Sequence, residues 1–430
     1  VTPISGGPSE KLGIRAGDKI VKIEGETVAG IGIKNGDVGK KLKGPKGTHV
    51  NVGIMRTGED EILDFEIVRD KIPIYSMDAA YMVTDEIGYI KINRFAKTTM
   101  EELRTALVDL NKQGMKDLIL DLQGNGGGLL KTAIQMADEF LSDDKLIVYT
   151  EGRAFPREDT HAYIKGNFEK GKLVVLIDEG SASASEIVSG AIQDWDRGLI
   201  IGRRSFGKGL VQRPVPLPDG SAVRLTVQKY YTPAGRCIQK PYEDGVEAYR
   251  MEKYDRYASG ELLDSDSISL PDSLKYRTNV KGRTVYGGGG IMPDIFVPLD
   301  TTYASDYFSD LLRKGITNTF ALTYVDQHRD ELHGQYQDVN AFKANFSVEP
   351  IMADFLKFAE DEGIAMDEEG YNTSEFAIKT RLKALVARNL WDYSAFFNVV
   401  NVLNPPFVKA VEVLQDGTFE KMDLAHSQFK

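Results

Sequence analysis

Between residues 71 and 303 short apolar runs alternate with stretches of helical period, and the segments on either side follow different patterns. Ahead of it, Lys19-Ile20-Val21-Lys22-Ile23 and Val50-Asn51-Val52-Gly53-Ile54 alternate as half-buried strands among many glycines, which predicts a small β-rich module over residues 1–70. Within it, strands are expected at 87–92, 117–122, 173–177, 198–202 and 222–231. Helices are expected at 99–113, with Leu103, Leu107 and Leu110 on one face, at 129–141, and from 184 through Ile187, Val188, Ala191 and Ile192. That order predicts a buried α/β layer. A charged, tyrosine-bearing insertion at about 240–284 shows no period and is expected to form surface loops rather than a site. From 304 to 430 the chain reads as helical, at 307–315, 316–329, 339–346, 349–362, 374–399 and 407–414. Asn404-Pro405-Pro406 breaks the last pair, and Phe376, Leu382, Leu385 and Val386 are expected to be packing positions.

Composition narrows the partners. The net charge of −11 over 430 residues, with Lys and Arg dispersed, speaks against nucleic acid or an anionic membrane surface. No apolar run approaches the roughly 18–20 residues of a membrane span, and Val1 opens no signal-peptide pattern. A single cysteine, Cys237, excludes an internal disulfide framework. None of this names a compartment.

Two glycine- and small-residue joints carry the candidate chemistry. Gln123-Gly124-Asn125-Gly126-Gly127-Gly128 links a strand to a helix, where backbone N–H groups near a helix N-terminus favour developing negative charge. Half of an oxyanion hole and a tight turn that merely needs glycine are both open there. Gly180-Ser181-Ala182-Ser183-Ala184-Ser185-Glu186-Ile187 likewise joins a strand to a helix and reads as a nucleophile turn, although Ser183-Ala184-Ser185-Glu186 is also a capping box. A serine nucleophile needs a base. The histidines His49, His161, His328, His333 and His426 form no triad motif, and no His/Cys cluster has metal spacing, so no metal or other cofactor is expected. Lys208, between two glycines, is the remaining candidate. A lysine serves only as its neutral amine, a form that desolvation favours, and Phe206, Leu210 and Val211 offer apolar neighbours. Gly202 to Lys208 also fits G-x-x-x-x-G-K. However, Gly209 stands where a Mg²⁺-binding Ser or Thr belongs, and Pro214 and Pro216 forbid a following helix.

Residues 1–25, from Val1-Thr2-Pro3 through Leu12-Gly13-Ile14-Arg15-Ala16-Gly17-Asp18, closely resemble the middle of a PDZ domain. The chain is expected to start inside that domain, its carboxylate-binding loop lying upstream of Val1. Gly180 to Glu186 together with Phe206-Gly207-Lys208-Gly209-Leu210-Val211-Gln212 resemble the C-terminal processing peptidases, also called tail-specific proteases. Gln193-Asp194, Tyr230-Tyr231-Thr232-Pro233-Ala234-Gly235-Arg236 and Gly290-Ile291-Met292-Pro293-Asp294 extend the likeness.

The resemblance implies Ser183 as nucleophile, Lys208 as general base and Gln212 as the side chain that orients it. It further implies the N–H groups of Ala184 and Gly127 as oxyanion hole and Asp194 in a supporting place. Lys208 and Gln212, four residues apart, would share a face in an extended segment. The family's D-L-R-x-N-P-G-G appears as Asp121-Leu122-Gln123-Gly124-Asn125-Gly126-Gly127-Gly128, with Gln for Arg and Gly for Pro. The implied fold is an α/β (α+β) protease core of crotonase/ClpP-like type over 71–303, behind a partial PDZ domain and ahead of a mostly α-helical C-terminal region over 304–430. The implied activity is a serine endopeptidase acting on protein or peptide with a free C-terminus, in an extracytoplasmic setting, periplasmic or secreted. Assembly as a homo-oligomer stays open. The alternatives are a catalytically silent peptide- or ligand-binding relative of the same fold and a crotonase-like acyl-CoA enzyme. The presence of both Ser183 and Lys208 weighs against the first, and the PDZ-like module against the second.

Overall fold

The computed structural model describes residues 3–422 and 424, apart from 5, 73, 74, 143 and 269. Val1, Thr2 and Ser5 of the PDZ-like stretch, and His426, lie outside the described residues. Two compact units form, one of residues 1–74 with 302–400 and one of residues 75–301 with 401–430.

The second unit is built on a six-stranded sheet in the order Ile295–Phe296, Leu199–Gly202, Leu173–Ile177, Asp117–Asp121, Ile87–Ile92, Met77–Met82. Neighbours run parallel except Met77–Met82, which is antiparallel to Ile87–Ile92. Every residue of Leu173–Ile177 is buried, as a continuous apolar run requires in a strand covered on both faces. Leu118, Leu120, Leu173, Val175 and Ile177 share a core with Leu103, Leu107, Ala133, Met136, Val188 and Ile192 of the helices Thr99–Lys112, Leu130–Asp138 and Ala184–Asp194. Alternate strand residues face the other way. There the ring of Tyr89 meets Phe407 of the helix Pro405–Gln415 edge-on at 5.3 Å. Because Asp117–Asp121 and Leu173–Ile177 are adjacent and parallel, the two glycine-rich joints emerge side by side at their carboxyl ends. In open α/β sheets that edge is where ligands are met.

A second, antiparallel sheet runs Leu210–Pro216, Ala222–Tyr231, Leu146–Gly152, Phe155–His161. Only Ala222–Tyr231 was legible beforehand. After Gly202 the chain turns into a strand at Leu210, and Pro214 and Pro216 are tolerated because that strand is at the sheet edge. No helix follows Gly202–Lys208, so the phosphate-loop pattern has none of its architecture.

In the first unit, the sheet Glu26–Thr27, Lys19–Ile23, His49–Met55, Leu63–Val68 packs Ile23, Val50, Val52, Ile54 and Ile67 into a small core. Six helices run from Asp306–Arg313 to Tyr393–Val400. The helix expected at 374–399 begins earlier, at Glu368, where the Asp367 carboxylate accepts the N–H of Gly370. It stops at Leu390, because Trp391 leaves helical geometry at ψ −94° and turns its ring onto Phe342, 5.5 Å away. Leu382, Leu385 and Val386 are buried packing positions, whereas Phe376 is half exposed and lies against Tyr303.

Candidate active site

Ser183 stands between the strand Leu173–Ile177 and the helix Ala184–Asp194, with φ 58° and ψ −109°. An L-residue there costs on the order of 1–3 kcal/mol and persists only when its surroundings over-determine it. The surroundings do so. The Asp178 carboxylate accepts the N–H groups of Gly180 (2.9 Å) and Gly124 (2.8 Å), tying one joint to the other. Ser181 Oγ donates to Leu122 O (2.8 Å), and Asn125 O accepts both Ala182 N–H (3.0 Å) and Ser185 Oγ (2.8 Å).

The loop bearing Lys208 is fixed to that turn by two buried side chains. Glu186 Oε2 accepts the N–H of Ser183 (2.7 Å) and of Lys208 (2.9 Å), while its Oε1 accepts Gly207 N–H (2.7 Å) and Ser205 Oγ (2.6 Å). Burial raises the Glu186 carboxyl above the ordinary range, against the pull of these donors. From the neighbouring strand, the Tyr230 hydroxyl reaches the carbonyl oxygens of Ser183 (3.1 Å) and Lys208. One carboxylate thus gathers the peptide N–H groups of both residues, and one phenol gathers their carbonyls.

The insertion expected to be surface loops also contributes, through the helix Gly245–Ala258. Its buried Arg256 donates to Ser205 O (3.1 Å) and Arg204 O (2.7 Å), the backbone just ahead of Lys208, and its Tyr249 ring meets Phe206 edge-on at 5.9 Å. The face of Phe206 is covered by Lys240 Nζ, 4.1 Å from the ring centre. The helix escapes a search for apolar period because it docks through Arg256 and Glu252.

The remaining expected residues are placed as follows. Ala184 opens the helix, so its N–H has no intrahelical acceptor. Gly127 has φ 98° and abuts the turn, and a Cβ built on it would fall 3.0 Å from Ala184 N. Its own N–H donates to Asn125 Oδ1 (2.9 Å). Gln212 is exposed. The strand starts at Leu210, after Lys208, so the same-face argument does not extend back to the lysine. Among the described residues no hydrogen bond joins Lys208 to Ser183 Oγ or to Gln212. Asp194 is fully buried, paired with Arg236 and accepting Ala234 N–H (2.8 Å), which places it under the turn Thr232–Arg236. Neither Glu186, visible beforehand only as a helix cap, nor Tyr230 was expected to touch the Lys208 loop. Both contacts are long-range and have no local period.

Residues 86–248 match peptidase family S41, and residues 1–56 match a PDZ domain. A carboxy-terminal-processing protease of Bartonella bacilliformis is 41% identical over 246 residues, 56% of this chain and 55% of that protein. The carboxy-terminal processing protease CtpA of Bacillus subtilis is 37% identical over 266 residues, 62% of this chain and 55% of that one. A solved photosystem II D1 C-terminal processing protease is 30% identical, with 70% of this chain and 68% of that chain covered and a TM-score of 0.38. The chain carries a peptidase family S41 domain over residues 86–248. Ser183, Glu186, Lys208 and Tyr230 all fall inside the matched S41 segment. The chain spans about 55% of the length of these two curated relatives. Beyond the S41 segment, residues 307–392 match a family of unknown function.

Proposed function

We propose that this S41 peptidase is a serine endopeptidase that recognises protein C-terminal tails through its PDZ domain and cleaves peptide bonds through an acyl-enzyme on Ser183. The observation that carries the reading is the strained Ser183 at a strand-to-helix turn, held to the Lys208 loop by Glu186. In this mechanism the neutral Lys208 amine takes the Ser183 proton as Oγ attacks the scissile carbonyl. Developing charge on the oxygen is met by Ala184 N–H at the helix N-terminus and by Gly127 N–H, once the latter turns from Asn125 Oδ1. The protonated amine then passes its proton to the leaving nitrogen, and water repeats the sequence on the ester.

In the resting arrangement no hydrogen bond joins Ser183 and Lys208, and catalytic hydrogen bonds commonly tighten only with substrate in place. Gln212 acts here as an orienting group that engages the lysine when a peptide is bound. Asp194 supports the site from beneath, through Arg236. Family resemblance supports an extracytoplasmic setting. Among the described residues no helix is long and apolar enough to cross a membrane.

The test is hydrolysis of an unfolded protein with a free C-terminus, and of the same protein with that end blocked by amidation. Wild type is expected to cut the first faster, and Ser183→Ala and Lys208→Ala to cut neither. Full activity in either variant overturns the chemistry, and equal rates on the two substrates overturn the tail recognition.

A further inference from the structure

Tyr230 is 2% exposed, and its hydroxyl lies between the carbonyl oxygens of Ser183 and Lys208. Its backbone is anchored independently of its hydroxyl: Tyr230 N–H donates to Gly209 O (2.9 Å), and Tyr230 pairs with Thr150 across the sheet. The hydroxyl is therefore presented at a fixed place, one residue from Lys208 in the ladder. It carries one proton and faces two carbonyls. Ser183 O already accepts the helix N–H groups of Glu186 and Ile187, each at 3.0 Å, whereas Lys208 O has the phenol as its hydrogen-bond partner.

We propose that Tyr230 is a positioning residue for the Ser-Lys chemistry, its hydroxyl holding the Lys208 peptide at a set distance from the Ser183 peptide. This rests on the reading of Ser183 and Lys208 given above. Glu186 holds the same two peptides at their N–H side, and the neighbours of Lys208 are held in turn, Gly207 O accepting Lys240 N–H (2.9 Å) and Gly209 N–H donating to Gln239 Oε1 (2.9 Å), so the carbonyl of Lys208 itself is the edge left to the phenol. Tyr230 closes the other side. Burial, and after it the Glu186 charge, raises the phenol well above its ordinary range, so it stays a neutral donor at working pH.

The experiment compares wild type, Tyr230→Phe, Ser183→Ala and Lys208→Ala on an internally quenched peptide that wild type cuts, with kcat and KM followed across pH. Tyr230→Phe keeps the ring and is expected to fold. Its kcat should fall about 10- to 100-fold with KM within about twofold, because displacing a reacting group by even 1 Å is costly. The acid limb of its kcat profile should also move, since the base has changed surroundings. An unchanged kcat and pH profile in Tyr230→Phe, with Ser183→Ala inactive, overturns the role of Tyr230 alone. Activity in Ser183→Ala removes the underlying reading and this one with it. Should Tyr230→Phe fail to fold, 3,5-difluorotyrosine at the same position keeps the shape with a more acidic phenol. A new alkaline fall in kcat is then expected, and an unchanged profile overturns the proposal.

Discussion

A β-carbon built on Gly127 would lie 2.8 Å from Cβ of Ser183 and 2.7 Å from Ala182 O. No side chain of any size fits between the glycine loop and the Ser183 turn, and the φ of 98° at Gly127 penalises one further. Gly127→Ala must therefore push the two joints apart at the point where the oxyanion would sit. A loss of at least about 100-fold in kcat is expected with the fold retained by circular dichroism. Activity within a few-fold of wild type would show that the two joints need not touch.

How much of this was visible in the sequence depends on how local the cause is. The run Leu173–Ile177 and the small residues after it announce a buried strand and a tight turn within one short window, and Ser183 stands at that turn. The joining of that turn to the Lys208 loop is not local. Glu186 declares itself as a helix cap, and only the fold brings Ser205, Gly207 and Lys208 to its other lone pairs. Tyr230 reads as one alternating residue of a strand until that strand is laid beside Gly209. The strands at 146–161 were missed because only Ile147 and Val148 among their apolar residues are fully buried, so polar and apolar positions do not alternate cleanly. Gln212 shows what spacing leaves out: four residues from Lys208, it would share a face with the lysine in one continuous strand, but the strand begins at Leu210.

Glu186→Gln tests the carboxylate hub in two ways. An amide turns one acceptor into a donor that faces either the N–H groups of Ser183 and Lys208 or the Gly207 N–H and the Ser205 hydroxyl, so kcat is expected to fall about 100-fold. The second test is the pH dependence of stability. Burial raises the folded Glu186 carboxyl above its ordinary value of 4.5. The folded protein takes up that proton more readily than the unfolded chain, so the stabilising contribution is full below the unfolded value and lost as pH rises through the folded one. The glutamine variant lacks this titration. Urea melts between about pH 4 and pH 8 should show wild type losing stability relative to Glu186→Gln as pH increases. A difference that grows in favour of wild type over the same range would contradict the burial argument.

Asp194 and Arg236 are both fully buried, and each is the other's charge partner. Asp194→Ala leaves the guanidinium with Gln193 Oε1, Thr232 Oγ1 and Tyr286 O but without a countercharge. Breaking one side of a buried pair typically costs about 3–5 kcal/mol, and a drop of that size in unfolding free energy is expected from urea melts. A variant that melts like wild type yet has lost kcat would instead place Asp194 in the chemistry.

The most direct test is to find which atom acts as the nucleophile. A fluorophosphonate reagent incubated with the folded chain should add a single phosphonyl group, mapped by peptide mass spectrometry to Ser183, and the rate of addition should fall about 100-fold or more in Lys208→Ala. An adduct on another residue, or addition to Ser183 at an unchanged rate without Lys208, would contradict the assignment of nucleophile and base.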